Sequence, residues 1–275
     1  MESTIRDLIA RALQEDLGPG DVTTEATIHA ESRSTAVLLA KQELVLAGLD
    51  VSREVFRHLD PDMKFEPFAR DGDRVGAGTE IAKVAASTRA LLAGERVALN
   101  LLQHMSGIAT LTAKAVEKIK GLKAEVLDTR KTLPGLRQLE KYAVRVGGGR
   151  NHRFGLYDGV LIKDNHIRAA GSITKAADNA RKRAHHLLKI EIETKNLEEV
   201  REALAVKADI IMLDNMPIDM MREAVRLIAG RALVEASGNV TLETIRAMVE
   251  TGVDFVSVGS LTHSAPAVDI SMKIK

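Results

Sequence analysis

From Lys123 onward, short apolar runs alternate with stretches of helical periodicity, and this alternation limits the fold more than any other feature of the chain. The runs are AEVLD (Ala124–Asp128), GVLIK (Gly159–Lys163), KIEIE (Lys189–Glu193), DIIMLD (Asp209–Asp214), ALVEAS (Ala232–Ser237) and DFVSVG (Asp254–Gly259). Helical spacing falls near 171–187, 196–206, 217–229 and 241–251. Strands that alternate with helices imply a parallel sheet, and a strand buried on both faces reads as a continuous apolar run. No Gly-rich dinucleotide turn follows the first run. The later units recur every ~20–25 residues, close to the length of a βα-barrel unit. Six runs, rather than eight, predict a barrel-like sheet that is smaller or incompletely closed.

The first hundred residues read differently, as a small α+β domain. Ile5, Leu8, Ile9, Ala12 and Leu13 share one helical face over 3–14. GPGDVTT from Gly18 reads as a turn or loop. Strands are expected at Ser34–Ala40, Lys64–Ala69 and Thr79–Ala85, with a turn at Asp71–Gly72 and a long helix over Thr88–Met105.

Composition removes several function classes. The 275 residues contain no Cys, which excludes disulfides, thiolate metal sites and a Cys nucleophile and suits a reducing cytoplasm. Aromatics are 3% with no Trp, so the core is aliphatic and base-stacking platforms are not expected. No run of 18 apolar residues predicts a membrane helix. The net charge of +1 argues against a globally basic nucleic-acid binder, so any anion site must come from local clustering.

Such a cluster exists. Between Asp128 and Lys163 lie eight Lys/Arg (Arg130, Lys131, Arg137, Lys141, Arg145, Arg150, Arg153 and Lys163) against Asp128, Glu140 and Asp158, a local +5. Paired guanidinium donors suit carboxylate and phosphate, and the run Gly147–Gly149 would let backbone approach a ligand. Arg137, Lys141 and Arg145 recur every four residues and fit a solvated or structural helix face. Arg130, Lys131, Arg153 and Lys163 do not. The apolar runs end in Asp128, Lys163, Glu193, Asp214, Ser237 and Gly259, which a βα barrel would gather at one mouth, where such folds keep their active sites.

The run DTRKTLPGLRQLEKYAVRVGGGRNHRFGLYDGVLIKDNHI, Asp128–Ile167, resembles the signature region of the quinolinate phosphoribosyltransferases. EDLGPGDVTT at Glu15, ERVALNLLQHMSGIAT at Glu95, EIET at Glu191, IMLDNM at Ile211, VEASGNV at Val234 and FVSVGSLTHSAPAVDIS at Phe255 extend the resemblance over essentially the whole chain. The resemblance implies an N-terminal α/β sandwich over 1–108, joined by the C-terminal tail 265–275, and an open six- to seven-stranded α/β barrel over 109–264. It implies transfer of phosphoribosyl from phosphoribosyl pyrophosphate (PRPP) to quinolinate, with loss of pyrophosphate and CO2, to give nicotinate mononucleotide for NAD biosynthesis. It also implies Mg2+ and a homodimer or larger assembly with shared sites.

By the same resemblance, Arg130, Lys131, His152, Arg153 and Lys163 hold the quinolinate dianion, with Arg96 reaching in from the neighbouring subunit. Thr129, Glu193 and Asp214 lie on the PRPP side, and the two carboxylates hold Mg2+ directly or through water. The turns Ser237–Gly238–Asn239 and Val258–Gly259–Ser260, with His263 nearby, take the 5′-phosphate. Lys131 or Lys163 assists pyrophosphate or carboxylate departure, and these two lysines with Glu193 and Asp214 form the catalytic group. His104 and His166 read as structural, His185 and His186 as solvated, while His29 and His58 lack a motif. Asn239 stands where the family often has glycine, and Asn tolerates left-handed backbone. The alternatives are a paralogous enzyme with another anionic acceptor, a Schiff-base aldolase using Lys163, and a nucleotide-binding regulator. The density of arginines disfavours the aldolase, and the full acceptor cluster disfavours the paralogue.

Overall fold

The computed structural model describes residues 3–275. In chain order the elements are α1 (Ser3–Leu17), α2 (Val22–Thr27), β1 (Arg33–Ala40), β2 (Leu44–Val45), α3 (Leu49–Leu59), β3 (Lys64–Pro67), β4 (Arg74–Val75), β5 (Glu80–Ser87) and α4 (Thr88–Lys118). They continue with β6 (Glu125–Leu127), α5 (Arg137–Val146), β7 (Val160–Ile162), α6 (Asp164–Ala170), α7 (Ile173–Arg183), β8 (Ile190–Thr194), α8 (Leu197–Ala205) and β9 (Ile210–Asp214). The last are α9 (Ile218–Ile228), β10 (Leu233–Ser237), α10 (Ile245–Val249), β11 (Phe255–Ser257), α11 (Ser260–His263) and β12 (Ile270–Ile274).

Two compact units result. One contains the chain up to Leu111 with 138–147 and 265–275; the other contains 112–137 and 148–264. The first is built on an antiparallel sheet of order β12-β1-β5-β3 beside the small β2-β4 pair. The C-terminal strand pairs Ile270 with Ala40 and Ile274 with Ala36. Leu38, Leu44, Leu46, Ile81, Leu99, Leu102 and Ile270 pack into its aliphatic core, as a chain without Trp requires.

Three readings of this unit change. The loop expected after Gly18 holds the short helix α2, because Asp21 caps it: its carboxylate accepts from Thr24 N at 3.0 Å. The long helix begins at Thr88 as expected but runs on to Lys118. Residues 138–147, expected within 109–264, group instead with the first unit. The reason is burial of Leu139, Ala143 and Val144, reinforced by Glu140 Oε1 at 2.9 Å from His104 Nε2 and by Tyr142 donating to Asp71 at 2.7 Å. Lys141, read as solvated or structural, is buried and so takes the structural role.

The second unit holds the six runs as six parallel strands, in the order β6-β11-β10-β9-β8-β7. β8 is buried at every residue, as a strand covered on both faces must be. β6 and β7 do not pair, so the barrel is open. A single parallel bridge from Leu127 to Arg150 extends the β6 edge. This bridge brings the segment 150–153 to the gap, where Arg153 Nη1 donates to Gly159 O at 2.9 Å, just ahead of β7. Among the described residues, no helix is long and apolar enough to cross a membrane.

Candidate active site

Alternate residues of a strand face the same side, so the inward side chains of the open barrel fall into layers. Glu191 and Glu193 share a face of β8, Met212 and Asp214 of β9, Glu235 and Ser237 of β10. Strand register sets Glu193 beside Met212, and Asp214 beside Ser237. The layer nearest the C-terminal strand ends opens into a cavity of about 430 Å³. Its basic lining is the cations Arg130, Lys131, Arg153 and Lys163 with the imidazole of His152; its acids are Glu193 and Asp214. Thr129 and the turn Ser237–Gly238–Asn239 also line it, with Leu161, Met212, Asn215 and Ser257. Those last four carried no expectation.

Arg130 Nε and Arg153 Nε are buried and make no hydrogen bond. Burial lowers the pKa of Arg153, the neighbouring Arg130 charge lowers it further, and Glu191 and Asp158 pull it back. A buried N–H without an acceptor is costly, and a bound anion could supply one. Arg137 braces the segment rather than lining it, donating to Thr132 Oγ1 at 2.9 Å and to Phe154 O at 3.2 Å. Lys163 stands at the start of α6 and its ammonium lies 3.3 Å from Glu193. His166 caps that helix by accepting from Lys163 N at 2.9 Å, a structural use.

The loop that carries His152 and Arg153 is fixed from below. Asp128 is fully buried and accepts from His152 N at 2.9 Å and from Asn151 Nδ2 at 2.5 Å. It therefore anchors the site and does not line the mouth, unlike the other strand-end acids. Arg153 N donates to His152 Nδ1 at 2.7 Å, so the neutral ring carries its proton on Nε2. That nitrogen points at Glu191 (3.1 Å) and Glu235 (3.7 Å). Glu235 also accepts from Ser257 Oγ. Burial raises the Glu235 carboxyl to about 8, with the Glu191 charge adding to the push and His152 opposing it. The sequence reading missed Glu191 and Glu235, although the two-residue period already aligned them with Glu193 and Ser237.

The remaining expected residues separate. Gly259 packs against Lys131, since a Cβ there would lie 3.1 Å from Lys131 Cδ, and Thr262 Oγ1 donates to Lys131 O at 2.8 Å. Val258, Gly259, Ser260 and His263 thus flank the cavity without lining it. In the glycine run, Gly148, at φ +88°, turns the chain after α5, and Gly148 and Gly149 line a different cavity. Arg96 is exposed on α4, in the other unit. His185 and His186 are exposed and stack on each other with centroids 4.6 Å apart.

The arrangement matches known proteins over its full length. Residues 108–273 match the C-terminal domain of the quinolinate phosphoribosyl transferase family, and residues 21–106 match its N-terminal domain. This chain belongs to the quinolinate phosphoribosyltransferase family. Among its relatives is the probable nicotinate-nucleotide pyrophosphorylase [carboxylating] of Bacillus subtilis, 47% identical over 98% of this chain and 93% of that one. The chloroplastic enzyme of that name from Arabidopsis thaliana is 45% identical, over 98% of this chain and 82% of its own length. NadC from Streptococcus pyogenes superposes with a TM-score of 0.95 at 46% identity, covering 98% of this chain and 96% of that one. As a quinolinate phosphoribosyltransferase, the chain has the family's two-domain mixed α/β architecture, with a small N-terminal sheet domain and a six-stranded parallel sheet flanked by helices.

Proposed function

We propose that this chain transfers the phosphoribosyl group of PRPP to quinolinate and releases pyrophosphate and CO2, giving nicotinate mononucleotide. One observation carries the reading: a single cavity at the strand ends is lined by five cationic or imidazole side chains and also by two carboxylates. Arg130, Lys131, His152, Arg153 and Lys163 take the two carboxylates of quinolinate, and the partnerless buried guanidinium N–H groups become satisfied. Glu193, Asp214 and Thr129 face the ribose and pyrophosphate of PRPP. The turn Ser237–Gly238–Asn239 presents backbone amides to the 5′-phosphate, with Val258, Gly259, Ser260 and His263 beside it.

In this reading the quinolinate nitrogen forms a bond to the ribose carbon as the bond to pyrophosphate breaks. Positive charge develops on the ribose, and Glu193 and Asp214 stabilise it electrostatically. The ring nitrogen is then cationic. It stabilises the electron pair left on the adjacent carbon when that carboxylate departs as CO2, and the carbon takes up a proton. Lys131 and Lys163 offset the charge of the departing groups. The protein's part is positioning and charge, with no covalent intermediate.

Glu193 and Asp214 also fit Mg2+, being hard oxygen donors on the adjacent strands β8 and β9 that share one cavity. A bound Mg2+ would neutralise pyrophosphate oxygens. Arg96, exposed on α4, is assigned to the acceptor pocket of a second subunit, so the working unit is a homodimer or a larger assembly. The decisive assay supplies PRPP and Mg2+ with either quinolinate or nicotinate, and follows pyrophosphate and CO2. Both products should appear with quinolinate. Turnover with nicotinate alone would instead favour a paralogous activity.

A further inference from the structure

Beneath the acceptor pocket lies a second cavity of about 260 Å³, among whose lining residues are Glu191 and Glu235. His152 and Arg153 line both cavities and separate them. Two buried glutamates under a pocket for a dianion need an explanation, because carboxylates there oppose the ligand. His152, Glu191 and Glu235 place their polar atoms within 4.8 Å of one another, a spacing that could hold a metal ion. The imidazole argues against it: Nδ1 accepts from Arg153 N, so Nε2 carries the proton and has no lone pair for a metal.

We propose that Glu191, Glu235 and Ser257 are positioning residues that hold His152 in its Nε2–H tautomer and fix its ring, and with it Arg153, for the acceptor carboxylates. Glu191 accepts the Nε2 proton at 3.1 Å. Ser257 holds Glu235 from the adjacent strand, β11, leaving Glu235 beside both His152 and Glu191. The groups facing Glu235 are Glu191 on β8, His152 on the 150–153 loop, Ser257 on β11 and Lys163 after β7. As a neutral acid Glu235 can donate toward Glu191, and this leaves one negative charge in the cluster rather than two. Burial and the Glu191 charge favour that form. The Nδ1 end is fixed by the backbone N–H of Arg153, so a tilt of the ring moves the guanidinium-bearing residue as well.

The inference rests on His152 and Arg153 serving quinolinate, and the test separates the two ideas. Steady-state KM for quinolinate and for PRPP is measured for wild type, His152→Ala, Glu235→Gln, Glu235→Leu and Ser257→Ala. Nitrogen NMR of 15N-histidine protein, assigned by the resonance lost in His152→Ala, reports the ring tautomer. Glu235→Gln keeps a donor toward Glu191 and an acceptor for Ser257, so its KM for quinolinate should stay within about threefold and the Nε2–H signature should persist. Glu235→Leu should raise KM for quinolinate by about tenfold or more, leave KM for PRPP within about twofold, and mix the tautomers. Ser257→Ala is the milder probe should Glu235→Leu fold poorly, with an expected rise of roughly three- to tenfold in the same KM. If His152→Ala leaves KM for quinolinate unchanged, the acceptor assignment falls and the inference with it. If His152→Ala raises it while both Glu235→Leu and Ser257→Ala leave KM and tautomer unchanged, the inference alone is overturned. Equal changes in both KM values would assign the cluster a merely structural role and also overturn it.

Discussion

Replacing Gly238 by Ala tests whether the turn after β10 is shaped for a ligand. Gly238 sits at φ +95°, a conformation that an L side chain enters at a cost of about 1–2 kcal/mol. A Cβ there would also lie 2.3 Å from Asn215 Cγ and Oδ1 and 2.6 Å from Nδ2. These atoms belong to a side chain that can swing, so the backbone need not break. The movement would cost the hydrogen bond from Asn239 Nδ2 to Asn215 Oδ1, now 3.0 Å, worth about 0.5–1.5 kcal/mol. The two contributions sum to roughly 1.5–3.5 kcal/mol, concentrated on three consecutive cavity-lining residues. If the turn binds the 5′-phosphate, KM for PRPP should rise roughly 10- to 300-fold. KM for quinolinate should move little. The double variant Gly238→Ala/Asn215→Gly removes the clash but keeps the backbone strain and still lacks the hydrogen bond to Asn239, so its KM for PRPP should stay raised, as in the single variant. Asn215 itself sits at φ +54°, where glycine is tolerated. A folded Gly238→Ala protein with KM for PRPP within about threefold of wild type would refute the reasoning.

Three other expectations concern stability, titration and assembly. Gly107→Ala would put a Cβ 2.2 Å from the backbone oxygen of Pro266, where no side chain can yield; calorimetry should show a loss of about 2 kcal/mol or more. The Glu235 carboxyl, raised from 4.5 to about 8, makes the folded protein hold a proton that the unfolded chain releases. Its contribution is fully present at low pH, where both states are protonated, and is lost progressively as pH rises through the raised folded value. Urea unfolding of Glu235→Gln should show a flatter pH dependence over that rise, and an unchanged slope would count against the assignment. Inactive Arg96→Ala and inactive Lys163→Ala chains, when mixed, should regain partial activity if one subunit completes the other's site; verified subunit exchange without rescue would refute sharing.

The sequence by itself determined the six parallel strands, since buried parallel strands must be apolar and must be separated by crossovers. It also determined which residues end those strands. Lys163, Glu193, Asp214 and Ser237 were legible for that reason, and Arg130, Lys131 and Arg153 stood out because no helix face accounts for them. Asn239 was legible as a turn residue, and it sits at φ +50°. Tertiary structure alone decided what each strand-end group faces. Asp128 looked like a mouth residue, but it is fully buried and holds the His152 loop, because the Leu127–Arg150 bridge brings that loop alongside its own strand. The regular spacing of Arg137, Lys141 and Arg145 allowed either a solvated or a structural face, and tertiary packing decided between them: α5 buries Lys141 and turns Arg137 to brace the site. Glu191 and Glu235 were hidden inside apolar runs. A carboxylate there is tolerated only because histidine and serine from other strands and loops meet it, and that meeting depends on register between segments as much as 105 residues apart, from His152 on its loop to Ser257 on β11.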